Sequence, residues 1–278
     1  MVMISGCSGP KSSAGNAARG LWYWQGTIHA AREDAGLVQH FKKGRIQAVY
    51  GAFGYSPYDY PERMKAWNAL LHSNEMQSQY LLAGTDWFFP EKREEIFLRL
   101  EKNLIEFHKK CQPQERFDAI HLDIEPQALP QWKSGSPQER RELLRLLSES
   151  FEAISQYLNR WSDVPLPIYA DLPVWFDSFE TIGWESENDR DAWFYELSLY
   201  LDGVSLMAYE RTDKAVILAD TEYEFSRFRE CRIALEADIG HGKSWRTPKA
   251  FFRMIEKLES AGFAIDIHNW ESYVPLLD

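Results

Sequence analysis

The chain has 278 residues, with 31 Lys and Arg against 42 Asp and Glu, for a formal charge of −11. At 45% hydrophobic and 26% charged residues it is globular, not disordered. The acidic balance, with no basic stripe, argues against a nucleic-acid partner, and no apolar run approaches the roughly 18 residues of a membrane span. Aromatic residues make up 14% of the chain; their flat rings suit sugar stacking as well as core packing, which favours a carbohydrate partner without deciding for one.

The segment Ile4-Ser5-Gly6-Cys7 resembles the lipobox of bacterial lipoproteins, and residues 11–16 read as a tether. Only six residues precede Cys7, too few for a charged and then apolar signal, so residues 1–19 are expected to be a lipoprotein signal truncated at its start. Cys7 would then carry a lipid anchor and place the protein in the bacterial cell envelope; without a signal it would be cytoplasmic. With Cys111 and Cys231, the three cysteines are too few and too scattered for a disulfide framework or a zinc site.

From residue 20 short apolar runs alternate with longer amphipathic stretches. The runs are Gly20–Trp24, Arg45–Phe53, Gln79–Gly84, Phe117–Glu125, Leu166–Asp171, Asp202–Tyr209, Arg232–Asp238 and Gly262–Trp270. The helical patterns are clearest in Glu91–Lys110, Pro137–Arg160 and Pro248–Ala261, with Ser136-Pro137 and Thr247-Pro248 as cap and first-turn proline of two of them. Eight βα units predict an α/β fold, a single (β/α)8 TIM barrel over residues 20–278. Only Glu271–Asp278 follows the eighth run, so its last helix is expected to be a stub.

Side chains alternate faces along a strand. In the fourth run Ile120, Leu122 and Ile124 oppose His121, Asp123 and Glu125; in the later runs an aliphatic set likewise opposes Asp171, Ser205, Met207, Tyr209, Glu236, Asp238, Asp266 and His268. The aliphatic sets are expected to meet the outer helices. The acidic and aromatic sets should face the axis, crowding toward the C-terminal mouth where barrel enzymes do their chemistry.

Asp118-Ala-Ile-His121-Leu-Asp123-Ile-Glu125 resembles the fourth-strand signature Asp-x-x-Asp-x-Asp-x-Glu of family 18 glycoside hydrolases, the chitinases and endo-N-acetylglucosaminidases. His121 stands at its second acidic position. Met207-Ala-Tyr209-Glu210 is similar to that family's Met-x-Tyr-Asp, and Trp270 falls where its eighth-strand tryptophan would be. The resemblance implies that Glu125 is the general acid. It also implies that Asp123 and Tyr209 hold the substrate acetamide, whose carbonyl oxygen is the nucleophile. From the resemblance for Met207, Glu210 and Trp270, and from their place at the strand ends for Trp24, Asp171, Trp175, Asp238 and His268, these residues are expected to contact substrate, and His121 to hydrogen-bond Asp123.

Two other schemes stay open. Glu125 at the end of the fourth strand and Glu236 at the end of the seventh suit a retaining glycosidase with a carboxylate nucleophile. A barrel that grips glycan without cleaving it is the other. His121, His268 and the acids could in principle ligate a divalent metal, but no His-x-His or His-Glu-x-x-His spacing occurs, so neither metal nor cofactor is expected.

Overall fold

In the computed structural model, which describes residues 19–24, 31–161 and 166–277, eight parallel strands close into a barrel in sequence order. They are β1 (Arg19–Tyr23), β2 (Ile46–Gly51), β3 (Gln77–Ala83), β4 (Ala119–Asp123), β5 (Ile168–Pro173), β6 (Gly203–Met207), β7 (Cys231–Glu236) and β8 (Ile265–His268). All eight predicted runs contain or overlap a strand, and the fold is the α/β TIM barrel expected. Cys7 and the lipobox-like segment lie outside the described residues.

The caps act where the sequence puts them. Ser136 Oγ accepts from Glu139 N at 3.3 Å while the Glu139 carboxylate accepts from Ser136 N at 2.6 Å, opening the helix Pro137–Asn159. Thr247 Oγ1 accepts from Ala250 N at 3.2 Å at the start of Pro248–Glu259. The stretch expected as one helix over 91–110 is instead broken. A π turn, Glu101–Ile105, follows Arg93–Leu100, and within it buried Asn103 donates from its side chain to the Arg99 carbonyl at 3.0 Å. After β8 comes the four-residue helix Trp270–Tyr273.

Strand alternation divides the interior as predicted. Ile120, Leu122, Ala170, Leu206, Leu235 and Ile267 join the large cluster between sheet and helices. Trp22, Ala48, Tyr50, Leu81 and Ala234 form a smaller cluster along the axis, with Trp24, Ala83 and Tyr209 packed on it. Trp22, Tyr50, His121, Asp171, Ser205 and Asp266 are all buried there, so each inward polar group needs a partner. Asp266 on β8 is the hub. Its Oδ1 accepts from Gly20 N at 3.1 Å, Tyr50 OH at 2.9 Å and Arg232 Nε at 2.7 Å, and its Oδ2 accepts from Ser205 Oγ. Those donors belong to β1, β2, β7 and β6, so one carboxylate joins strands on both sides of the barrel's closure.

Removing one member of a buried charged pair costs about 3–5 kcal/mol, because the other charge keeps its desolvation penalty. Asp266→Ala should lose that much stability in urea unfolding. A loss below about 1 kcal/mol, the range of an exposed pair, would contradict the hub's role.

Candidate active site

β4 brings the acids to the mouth. It ends at Asp123, and Pro126 opens a 3-10 turn, Pro126–Ala128. The residue before a proline is kept out of the helical region, and Glu125 accordingly lies at φ −113° and ψ 84°. Gln127 Nε2 donates to Glu125 Oε1 at 3.1 Å. Both carboxyls line a cavity of about 420 Å³ with Trp24, Ala83, Gly84, Thr85, Met207, Tyr209 and His268. Among the described residues its lining contains no Lys or Arg. A larger groove of about 850 Å³ runs between the helices Pro137–Asn159 and Glu187–Tyr200, away from the mouth. Its arginines are already engaged, Arg141 with Glu185 and Arg145 with Glu142.

Burial shapes the protonation of this cavity. It raises Asp123 well above the ordinary carboxylate range, and the nearby charges of Asp171 and Glu125 push the same way. Among the described residues Asp123 Oδ1, which is buried, has no hydrogen-bond partner. Burial raises Glu125 as well. The Tyr209 hydroxyl is raised by burial and by the surrounding acids, which keeps it a donor. His268 is pushed down to about 4 by burial and stays neutral.

Directly beneath Asp123 the expected contact is absent. His121 lies inside the barrel, but its Nδ1 donates to Gln79 Oε1 at 3.1 Å and its Nε2 meets Asp171 Oδ1 at 2.6 Å. Both ring nitrogens are occupied, so none is left for Asp123. Since Nδ1 carries a proton to reach the Gln79 oxygen, His121 and Asp171 share one proton along the other bond. Burial favours the uncharged arrangement, lowering His121 to about 4 and raising Asp171 well above its usual range. Tyr50 stacks on His121 at 4.0 Å between ring centroids, and Trp22 Nε1 donates to Asp171 Oδ2 at 3.1 Å.

The structure thus gathers Asp123, Glu125, Tyr209, Met207, Trp24 and His268, and moves other expected contacts elsewhere. Asp171 is sealed in the axis; it pairs in register with Ser205, two residues deeper than the Pro173 and Met207 pair. Trp270 is not at the mouth. β8 ends at His268, Asn269 caps the next helix, and strand alternation stops, so Trp270 turns outward onto Phe41 at 4.9 Å. Trp175 packs half-buried against Trp132 at 5.8 Å and Phe176 at 5.2 Å. Glu236 lies at the rim outside the cavity lining, its Oε1 accepting from Glu210 N at 3.1 Å and from Ser244 Oγ. Glu210 itself is exposed, and Asp238 pairs with Lys243 at 3.0 Å. Asp118 sits at the opposite end of β4, accepting from Ser78 N at 2.7 Å and contacting His72 Nε2 at 2.9 Å.

Sequence reasoning missed the β3 wall. Ala83-Gly84-Thr85 leaves room at a strand's C-terminal end, a signal present in residue size alone. Gly84 also admits the Trp87 ring, since a Cβ there would come within 2.7 Å of it.

No family model and no curated protein matches this sequence. Solved structures match it across most of its length. The PgaB (BpsB) glycoside hydrolase domain from Bordetella bronchiseptica has a TM-score of 0.57 at 11% identity, over 92% of this chain and 95% of that one. A GH18 chitinase from Pseudoalteromonas aurantia has 0.52 at 10%, over 94% and 97%. A family 18 N-acetylglucosaminidase from Paenibacillus barengoltzii has 0.51 at 10%, over 94% and 99%. The chain therefore has the TIM-barrel fold of family 18-like glycoside hydrolases; at these identities the likeness is one of fold.

An unpartnered buried carboxyl also predicts a stability signature. Asp123 has a folded pKa above its unfolded value of about 3.9. Its contribution is therefore least unfavourable below about pH 4 and worsens as pH rises toward the folded value. Asp123→Asn has no such titration, so its Tm should gain on the parent's between pH 4 and 8. A constant difference across that range would contradict the raised pKa.

Proposed function

We propose that this protein is a glycoside hydrolase acting on oligosaccharides that contain N-acetylhexosamine, with Glu125 as general acid and the substrate's own acetamide as nucleophile. The observation that carries this is the pair Asp123 and Glu125, both raised by burial, in one cavity with Tyr209 and with no Lys or Arg among its described lining residues. The fold shared with family 18 chitinases supports it.

In the first step the acetamide carbonyl oxygen attacks the anomeric carbon as the glycosidic bond breaks. Glu125 gives its proton to the leaving oxygen, which departs as a neutral hydroxyl. The ring so formed on the sugar is cationic at the acetamide nitrogen. Asp123 accepts that N–H through a carboxyl oxygen, which stabilises the developing charge while the carboxyl keeps its own proton. Tyr209 donates its hydroxyl to the acetamide oxygen and orients it. Water then attacks the anomeric carbon, the Glu125 carboxylate takes the water's proton, and the acetamide is restored.

A carboxylate nucleophile at Glu236 is not favoured, because that side chain is committed to Glu210 N and Ser244 at the rim. Envelope anchoring through Cys7 is compatible with action on an extracellular glycan and is tested by extending the reading frame upstream for a charged, apolar signal.

Glu125→Gln should reduce hydrolysis of N-acetylglucosamine oligomers by roughly 10²-fold or more while leaving their affinity nearly unchanged. Glu236→Gln should keep most of the activity. Turnover of the parent should fall at alkaline pH with an apparent pKa above the ordinary glutamate value of about 4.3, because the acid must be protonated to act. Release of aryl groups from sugars lacking the acetamide, lost in Glu236→Gln, would overturn the substrate-assisted scheme. Glycan binding without turnover by the parent would make this a binding barrel.

A further inference from the structure

His268 is the last residue of β8, paired in register with Glu236, and its ring lies on the wall of the acidic cavity. Trp24 Nε1 approaches His268 Nε2 at 3.2 Å. An indole nitrogen can only donate, so Nε2 of His268 must be the accepting lone pair. In the neutral ring the single proton then resides on Nδ1. This is the less common tautomer of a free neutral imidazole, and it is imposed here by a neighbouring side chain.

Packing holds the ring in place. Tyr209 lies at 5.2 Å and Trp22 at 5.8 Å between centroids, with Trp24 at 6.2 Å. Among the described residues no acceptor meets Nδ1–H. The cavity thus contains an oriented, uncharged donor with no partner among the described residues, and its ring lines the cavity with Asp123, Glu125 and Tyr209. A half-buried, ordered donor lacking a partner is satisfied by water or by a ligand oxygen. The described lining residues include no Lys or Arg to balance an anionic acceptor, which leaves a neutral oxygen of a sugar, either a hydroxyl or an acetamide carbonyl.

We infer that His268, locked as its Nδ1–H tautomer by Trp24, is a specificity-determining residue that donates a hydrogen bond to a neutral oxygen of the bound sugar. This rests on the carbohydrate function proposed above. It differs from the expectation for the eighth strand, where a tryptophan face was to stack on the sugar: here Trp270 has turned outward, and a polar donor on β8 reaches the cavity instead. The tryptophan that matters is Trp24, on the segment leaving β1, and it acts on the ligand partly through the histidine.

The experiment has two readouts on the intact chain. Nitrogen-15 NMR of histidine-labelled protein, without ligand, reports the tautomer. His268 should show a protonated Nδ1, and Trp24→Phe, which keeps a ring but deletes the donor, should release it toward Nε2–H. Calorimetry with tri-N-acetylchitotriose, in the Glu125→Gln background, reports the donor. His268→Asn places an amide N–H close to the position of Nδ1 and should retain affinity within about threefold. His268→Gln, whose amide reaches the Nε2 position, and His268→Phe should each lose roughly tenfold, the scale of one hydrogen bond.

The same series with de-N-acetylated chitotriose tells the acetamide oxygen from a hydroxyl. A loss confined to the acetylated sugar assigns the carbonyl, and an equal loss with both assigns a hydroxyl. An Nε2–H tautomer in the parent, or affinity unchanged in His268→Phe, overturns the inference alone. Failure of the Glu125→Gln parent to bind either trisaccharide overturns the carbohydrate function and the inference with it.

Discussion

The polar axis of the barrel has to be satisfied without water, and the rest of the molecule is arranged around that constraint. Asp266 answers it at one level by collecting donors from β1, β2, β6 and β7. His121, Asp171, Gln79 and Trp22 answer it with a second set of bonds across β1, β3, β4 and β5. These interactions replace part of the branched aliphatic filling that commonly occupies such a barrel. They make the axis a hydrogen-bonded plug, and the mouth above it can hold acids because its floor is rigid and saturated.

Saturation below creates the site above. His121 spends both ring nitrogens on Gln79 and Asp171, so Asp123, two residues later on the same face, inherits no partner from beneath. Burial pushes an isolated carboxyl toward its protonated form. His121, which departs from the acidic signature, is engaged with Gln79 and Asp171 and leaves Asp123 open to the cavity. This is a destabilising arrangement for the fold alone, of the kind that functional sites retain. Trp24 and His268 repeat the theme in the same cavity, where the hydrogen bond to His268 Nε2 leaves the Nδ1–H for the ligand.

Much of this was legible in the residues. Period-two alternation separated Ile120, Leu122 and Ile124 from His121, Asp123 and Glu125, because a strand offers only two faces and a barrel buries both differently. Ser136-Pro137 and Thr247-Pro248 marked helix starts because the capping chemistry is local. The failures began where alternation stopped. Trp270 was counted as if β8 continued past His268, and Asp171 was placed at the mouth although its depth depends on the register between β5 and β6. The break in the helix after Leu100 depends on one buried asparagine competing for a backbone carbonyl.

What the sequence determined by itself was the βα rhythm of the barrel, the inward sets of β4 to β8 and the place of Asp123 and Glu125 at the end of β4, since all three follow from patterns local to each strand and helix. Only the tertiary structure decided which inward groups meet. His121 pairs with Asp171 across strands 50 positions apart in sequence and not with its near neighbour Asp123. Trp24 fixes the proton on His268 from 244 positions away. Hydrogen-bond partnership inside a closed sheet is set by strand stagger and ring geometry, and those are properties of the assembled barrel.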